Sequence, residues 1–362
     1  LPFAVAPGMG INAYFTFTVI LTQQVWWQTA LGIVFWAGVL FLLISITPIR
    51  ETIAKAIPAE LRIATAAGIG IFLTFIGLKN AGLITSDPIT FVKLGTLGFT
   101  TLLTGVGFIV TVVLLIRRSA LAYLAGILVV TVIAWAAGLV KAPAQIFSPP
   151  DFETVFLKLD ILGALKLSLL PAIIGILFTD LFDSISTFMG VAHAADLLDE
   201  NGNPRNLRQG LIVDSVATFG AGVAGTSSGT AYIESIAGIN SGGRTGLTSV
   251  FTALCFLPCF FLAPLAAMVP PFATAPVMIF VGAAMFKSVN SINFARIEEA
   301  MPAFLTIILI PLTFSITQGI LWGFIAHVGL YLVTGRRKDV HPVMYVLAAI
   351  AIGLLLLEHT KF

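Results

Sequence analysis

The sequence predicts an all-α polytopic membrane protein built from two related halves. Three observations carry that expectation. The 362-residue chain is 58% hydrophobic and only 10% charged, where a soluble domain carries about 25% charge. Apolar runs of about 17–25 residues, the length a spanning helix needs, recur along it. Two short helix-breaking segments, Ala6 to Tyr14 and Ala224 to Glu234, align on a shared Ala-Tyr, and each precedes an apolar helix.

The elements follow in order from the apolar runs. A broken segment covers Pro2 to Thr22, where Pro7, Gly8 and Gly10 interrupt the run. Spans are expected over Trp27–Thr47, Arg62–Leu83, Phe99–Ile116 and Leu121–Leu139. A second set covers Gly163–Gly190, Leu207–Ala224, the broken Gly225–Ser241, Leu247–Met268, Ala273–Val289, Ala300–Ser315 and Thr317–Val333. The stretch Pro342–Leu357 is short and follows a basic cluster, so it reads as an interfacial helix rather than a span. Cys255 and Cys259, four apart on one apolar helix, read as small packing residues. No metal and no cofactor is expected.

Charge orients these spans. Cytoplasmic loops carry the excess of Lys and Arg. Six basic groups lie between spans: Arg50, Lys55 and Arg62; Arg117 and Arg118; Arg205 and Arg208; Arg244; Lys287 and Arg296; and Arg336, Arg337 and Lys338. Counting spans puts all six on one side, with the C-terminus cytoplasmic. The opposite loops are poor in basic residues or carry Asp87, Asp151, Glu153 and Asp160. The basic residues are therefore topology signals, none is assigned to a ligand, and the net charge of +2 gives no reason to expect nucleic acid.

The internal repeat extends past the opening pair. Ala67-Gly68-Ile69-Gly70 leads to Leu78-Lys79-Asn80 much as Val281-Gly282-Ala283-Ala284 leads to Lys287-Ser288-Val289-Asn290. The first half has no counterpart of Gly163–Gly190 and Leu207–Ala224, so about two helices, roughly 60 residues, are expected to be missing before Leu1. Seven spans per half is odd, which turns the second half upside down in the membrane. That is a 7+7 inverted repeat, and matching interruptions in its halves point to a carrier's binding site.

Ionisable groups inside the membrane cost roughly 2.5–3.5 kcal/mol each on insertion scales and mark functional candidates. Asp180 and Asp183 lie three apart, so they share a face of one apolar helix, which Ser184 and Thr187 extend. Two close carboxylates do not both ionise cheaply, which suits proton coupling. Structural cross-linking of helices is the alternative. Glu234 follows the Gly225–Gly229 break, where a helix N-terminus offers free N–H groups; a simple surface charge is its alternative. Asn12 follows Gly8 and Gly10 and can donate and accept at once, or cap a helix. Asp214 reads as a relay or as a packing polar group. His193 faces a loop, and His327 reads as hydrogen-bonded structure. Tyr14, Phe15, Phe182 and Tyr232 stack on an aromatic ligand or pack the core.

The chain resembles the nucleobase–ascorbate transporter superfamily, in its adenine/guanine/hypoxanthine permease branch. The resemblance rests on Pro7-Gly8-Met9-Gly10-Ile11-Asn12-Ala13-Tyr14-Phe15, on Asp180-Leu181-Phe182-Asp183, and on Gly225-Thr226-Ser227 with Thr230-Ala231-Tyr232-Ile233-Glu234-Ser235. It implies two inverted repeats of seven spans, with core and gate domains. It also implies a short strand in each broken segment, the two strands meeting at mid-membrane. The core would comprise residues 1–48 and 160–270, the gate 49–140 and 271–335, and 340–362 the interfacial helix, with the first two spans absent. By resemblance Asn12, Asp180 and Glu234 bind the base, with Asp183 in support. Gly10, Phe182, Thr226, Ser227 and Ser228 complete the expected site, and Asp180, Asp183 and Glu234 couple the proton.

The expected activity is proton-coupled import of adenine, guanine or hypoxanthine through the cell membrane, not catalysis. The expected partners are base, proton, lipid and a second copy in a homodimer. The same fold carrying uracil, xanthine or another small solute is the alternative; the acids at Asp180 and Glu234 argue against an anion. An intramembrane aspartyl protease is remote, because its Gly-x-Gly-Asp signature is absent.

Overall fold

The computed structural model describes residues 2–47, 56–119, 121–143, 145–194, 206–232, 235–240 and 242–359. Arg50, Lys55, Arg205 and Glu234 lie outside the described residues. The elements run β1 (Val5–Pro7), α1 (Met9–Ala13), wide π-type turns over Tyr14–Thr22, α2 (Trp27–Ile46), α3 (Ala59–Asn80), β2 (Ile84–Asp87) and β3 (Phe91–Leu94). Next come α4 (Phe99–Ile116), α5 (Ala122–Ala136), α6 (Leu170–Ala194), α7 (Leu207–Ala224), β4 (Gly229–Ala231) and α8 (Ser235–Asn240). The rest are α9 (Gly246–Phe256), α10 (Ala263–Ala267), α11 (Pro271–Phe286), α12 (Ile297–Thr313), α13 (Ile316–Val333) and α14 (Pro342–His359). Among the described residues seven helices are long and apolar enough to cross a membrane. The protein is mostly helical and multi-pass.

Two expected spans are less regular than their hydropathy suggests. Regular helix starts at Leu170 rather than at Gly163. Asp160 Oδ1 accepts from the Gly163 N–H at 2.8 Å, and Lys166 is extended at ψ 133°, so Gly163–Leu165 and Leu167–Leu169 are separate 3-10 turns. The expected Leu247–Met268 helix divides into α9, 3-10 turns over Leu257–Leu262, and α10. Pro258 and Pro264 each remove a helical N–H there. Cys255 and Cys259 are free and exposed on this stretch, not packed.

The chain divides into two compact units. The first comprises residues 1–69, 152–254 and 288–362; the second comprises 70–151 and 255–287. Within the first, α2 and α7 pack side by side through small residues. A Cβ on Gly38 would stand 2.3 Å from the Phe219 nitrogen, and one on Gly222 2.9 Å from the Leu31 carbonyl. Membrane helices associate through such close approaches because lipid supplies no hydrophobic drive. Helix α14 packs on α13 through Ala351, Leu354 and Leu355 against Leu321. Within the second unit, Leu103, Val130, Ala134 and Ala273 form the core of α4, α5 and α11. There β2 and β3 form a hairpin, with Asp87 opposite Phe91.

The two broken segments meet. Strands β1 and β4 pair antiparallel, with Val5 opposite Ala231, Ala6 opposite Thr230 and Pro7 opposite Gly229. The flanking bonds run from Gly8 N–H to the Ser228 carbonyl (3.3 Å) and from Tyr232 N–H to the Ala4 carbonyl (2.9 Å). Bonded pairs alternate with unbonded ones, so Pro7–Gly229 falls on an unbonded step and the missing proline N–H costs nothing. Gly8 is required: a Cβ would meet Thr230 Cγ2 at 2.7 Å. The second break is set by Gly225, whose φ of 89° ends α7. Thr226 N–H then closes onto the Ala221 carbonyl at 2.9 Å, as helix C-termini do when glycine follows them.

Candidate functional site

A two-stranded ribbon leaves the outer N–H and C=O groups of β4 unpaired, which a membrane interior does not tolerate. Polar side chains of α6 and α7 meet them, and the site is built from that need. Asp180 of α6 is fully buried. Its Oδ2 accepts from Ser228 Oγ at 2.7 Å and from the Thr218 hydroxyl of α7. Thr218 Oγ1 also lies 2.9 Å from the Gly229 carbonyl and 3.0 Å from Ser228 Oγ. A hydroxyl has one hydrogen, so Thr218 serves either the carboxylate or the strand, never both. Asp180 Oδ1 is buried and has no hydrogen-bond partner among the described residues. A bare buried acceptor is expensive, and it is a place for an incoming N–H or a proton.

Asn12 stands at the end of the first broken segment. Its Oδ1 accepts from the Ser227 hydroxyl. Its Nδ2 is 3.5 Å from the Pro7 carbonyl, at the limit of a hydrogen bond. Tyr232 also donates to that carbonyl, at 2.5 Å. The consecutive serines of the second break therefore reach Asn12 and Asp180 respectively. Adjacent serines thus contact Asn12 in the first half of the sequence and the α6 acid in the second.

A second carboxylate repeats the pattern. Asp214, one turn before Thr218 on α7, is fully buried. Its Oδ2 accepts from the Ser184 hydroxyl of α6, and Ser184 Oγ is 3.3 Å from Thr230 Oγ1 of β4. The Ala231 backbone N–H is directed at the same carboxylate. Its Oδ1 also has no hydrogen-bond partner among the described residues.

The other expected residues are placed as follows. Asp183 is half-buried one turn beyond Asp180 and has interactions of its own. Phe182 is buried with its ring 5.7 Å from Phe178, which packs edge-on against Phe324 at 5.6 Å. A Cβ on Gly10 would strike Ile69 Cγ2 at 2.7 Å, so this glycine marks a close approach. Thr226 is half-buried and closes α7 through its backbone. Glu234 lies outside the described residues. His327 packs with its ring 4.6 Å from Tyr331. The residue that sequence reasoning missed is Thr218. The available signal was its position four after Asp214, on the same face of α7.

A family model described as Permease family matches residues 1–321. The chain belongs to that family, the nucleobase–ascorbate transporters. Adenine permease AdeP of Escherichia coli (strain K12) is 40% identical over 97% of this chain and 79% of its own length. Guanine/hypoxanthine permease PbuG of Bacillus subtilis (strain 168) is 40% identical over 95% of this chain and 79% of its own length. Among solved structures, the transmembrane domain of the cyanobacterial bicarbonate transporter BicA superposes with a TM-score of 0.67 at 16% identity. It covers 89% of this chain and 84% of its own. At that identity the likeness speaks for the fold alone. The family's members are permeases rather than enzymes, which removes the protease alternative.

Proposed function

We propose that this chain imports purine nucleobases through the cell membrane by proton symport. Asp180 is the principal base-binding residue. The observation that carries this is its Oδ1, buried beside strand β4 and without a hydrogen-bond partner among the described residues. A purine is flat, neutral and edged with alternating donors and acceptors. Oδ1 accepts from a ring N–H or an exocyclic amine, while Asn12 Nδ2, only weakly held by Pro7, donates to a ring nitrogen or oxo group. Ser227 and Ser228 hold those two residues in place. Glu234 accepts a further base N–H, and Gly10, Phe182 and Thr226 shape the walls. Buried acceptors left unpaired reject analogues that lack the matching donor.

The relatives named for adenine and for guanine/hypoxanthine support a purine over other cargo. In this reading Asn12, Asp180 and Glu234 belong to a core domain that moves against a gate in a 7+7 inverted repeat. The transported proton is carried by Asp180, Asp183 or Glu234. The protein faces its basic loops and C-terminus to the cytoplasm.

Uptake of labelled adenine, guanine and hypoxanthine by the full-length protein, measured across pH with and without a protonophore, tests this. Saturable uptake that collapses with the proton gradient is expected. Uptake of no purine, or uptake indifferent to the gradient, overturns it.

A further inference from the structure

Two buried hydrogen bonds join elements that a core moving against a gate would separate. Tyr14, at the start of the π-type turns, is fully buried, and its hydroxyl lies 2.8 Å from Thr317 Oγ1 in the first turn of α13. Thr18, one turn later and also buried, donates to the Phe314 carbonyl. Phe314 sits in the left-handed region, at φ 53° and ψ 29°, where α12 ends. A non-glycine residue is strained there, and the strain persists only where surrounding contacts impose it. The Thr18 hydroxyl is one such contact. The bonded partners are 303 and 296 residues apart, and all lie in the first compact unit.

The packing beside these bonds is of another kind. Thr317, Leu321 and Phe324 fall on one face of α13 by their spacing. That face lies on α6. Gly175 has no room for a Cβ beside Thr317 Oγ1, Ile174 packs on the cluster that holds Leu321, and Phe178 meets Phe324 edge-on. Apolar contacts have little directionality and re-form after a small slide. A hydrogen bond has a narrow range of length and angle and is lost by the same slide. The two bonds therefore fix the register that the apolar face leaves free.

We propose that Tyr14–Thr317 and Thr18–Phe314 form a latch that holds the base-carrying elements in register against α13, and that the base crosses only once both bonds break. This rests on the transport reading, with residues 14–22 and α6 in the core and α13 in the gate. Tyr14 follows Asn12 by two residues, so release at Tyr14 frees the segment that carries one ligand of the base. Tyr14 and Thr18 are thus positioning residues. They set how fast the base crosses without touching it.

The test uses the full-length protein in vesicles with adenine saturating on both sides, so that exchange reports the movement and needs no gradient. Tyr14→Phe, Thr317→Val and the double variant are compared. Each single variant should exchange labelled adenine about three- to tenfold faster than wild type, the effect of losing one neutral hydrogen bond. Equilibrium affinity for adenine should stay within about threefold. The double variant should be no faster than either single one, because both remove the same bond. Unchanged or slower exchange overturns the proposal, as do additive acceleration and loss of affinity, the last of which places Tyr14 in the base site. A wild type that exchanges neither adenine, guanine nor hypoxanthine overturns the transport reading instead, and this inference with it. Should Tyr14→Phe fail to fold, Thr18→Val decides through the second bond by the same two readouts.

Discussion

Two helical stretches of similar length show opposite fates. Leu167–Ile185 has a mean hydropathy of 1.6 and 78% of it is buried, while Gly246–Ala267 has 2.2 and none of it is buried. In water the more apolar helix would be the inner one. In lipid an apolar face loses nothing by exposure, so high hydropathy does not require burial. The helix bearing Asp180, Ser184 and Thr187 must be enclosed by protein that can answer its polar groups.

The largest test of that contrast is functional. Asp180→Asn removes a charge-assisted acceptor and is expected to weaken purine binding about 10²-fold. Phe251→Leu, on the exposed stretch, leaves binding and uptake unchanged. Equilibrium binding of labelled adenine to purified protein measures both, and equal effects would break the contrast.

Next comes packing. A Cβ on Gly175 would lie 1.8 Å from Thr317 Oγ1 and 3.1 Å from the Tyr14 hydroxyl. Gly175→Ala should therefore destabilise by about 1–3 kcal/mol through overpacking. Ala253→Leu on the exposed stretch should change the thermal midpoint little. A smaller effect is expected from hydroxyls. Thr218→Val removes the one hydrogen for which the Gly229 carbonyl and Asp180 Oδ2 compete, leaving one of them short of a donor, and should cost about 1–2 kcal/mol. Among the described residues Thr252 bonds only the Thr248 carbonyl in its own helix, at 2.9 Å, so Thr252→Val should stay within about 0.5 kcal/mol. Chemical denaturation in a common detergent compares the two.

The smallest effect concerns a carboxylate in water. Asp87, in the β2–β3 hairpin, accepts from the Thr90 and Ile89 N–H groups and pairs with Lys93 at 2.9 Å. These contacts, led by the Thr90 N–H, pull its pKa down to about 2. A depressed carboxylate contributes order that is present above its ordinary value near 3.8 and is lost as pH falls through about 2. Amide exchange at Ile89 and Thr90 should quicken only in that window, and Asp87→Asn should quicken it at neutral pH.

Much of this was legible because lipid writes plainly into sequence. Spanning helices need unbroken apolar runs, so α2, α4 and α7 fall within a residue or two of their expected bounds. Asp180 and Asn12 stood out because polar groups are scarce there. Where prolines or a capping Asp160 act locally, as before Leu170 and after Phe256, hydropathy misled, since it ignores backbone donors.

By itself the sequence determined where the chain breaks and which acids must be enclosed, since both follow from the cost of polar groups in hydrocarbon. Only the tertiary structure decided how those acids are answered. Thr218 and Ser228 come to Asp180 from 38 and 48 residues away, and Asp214 reaches Ser184 across 30. Those partnerships depend on the pairing of β1 with β4, whose outward groups demand hydroxyls and carboxylates at fixed places. No local pattern specifies which side chain will supply them.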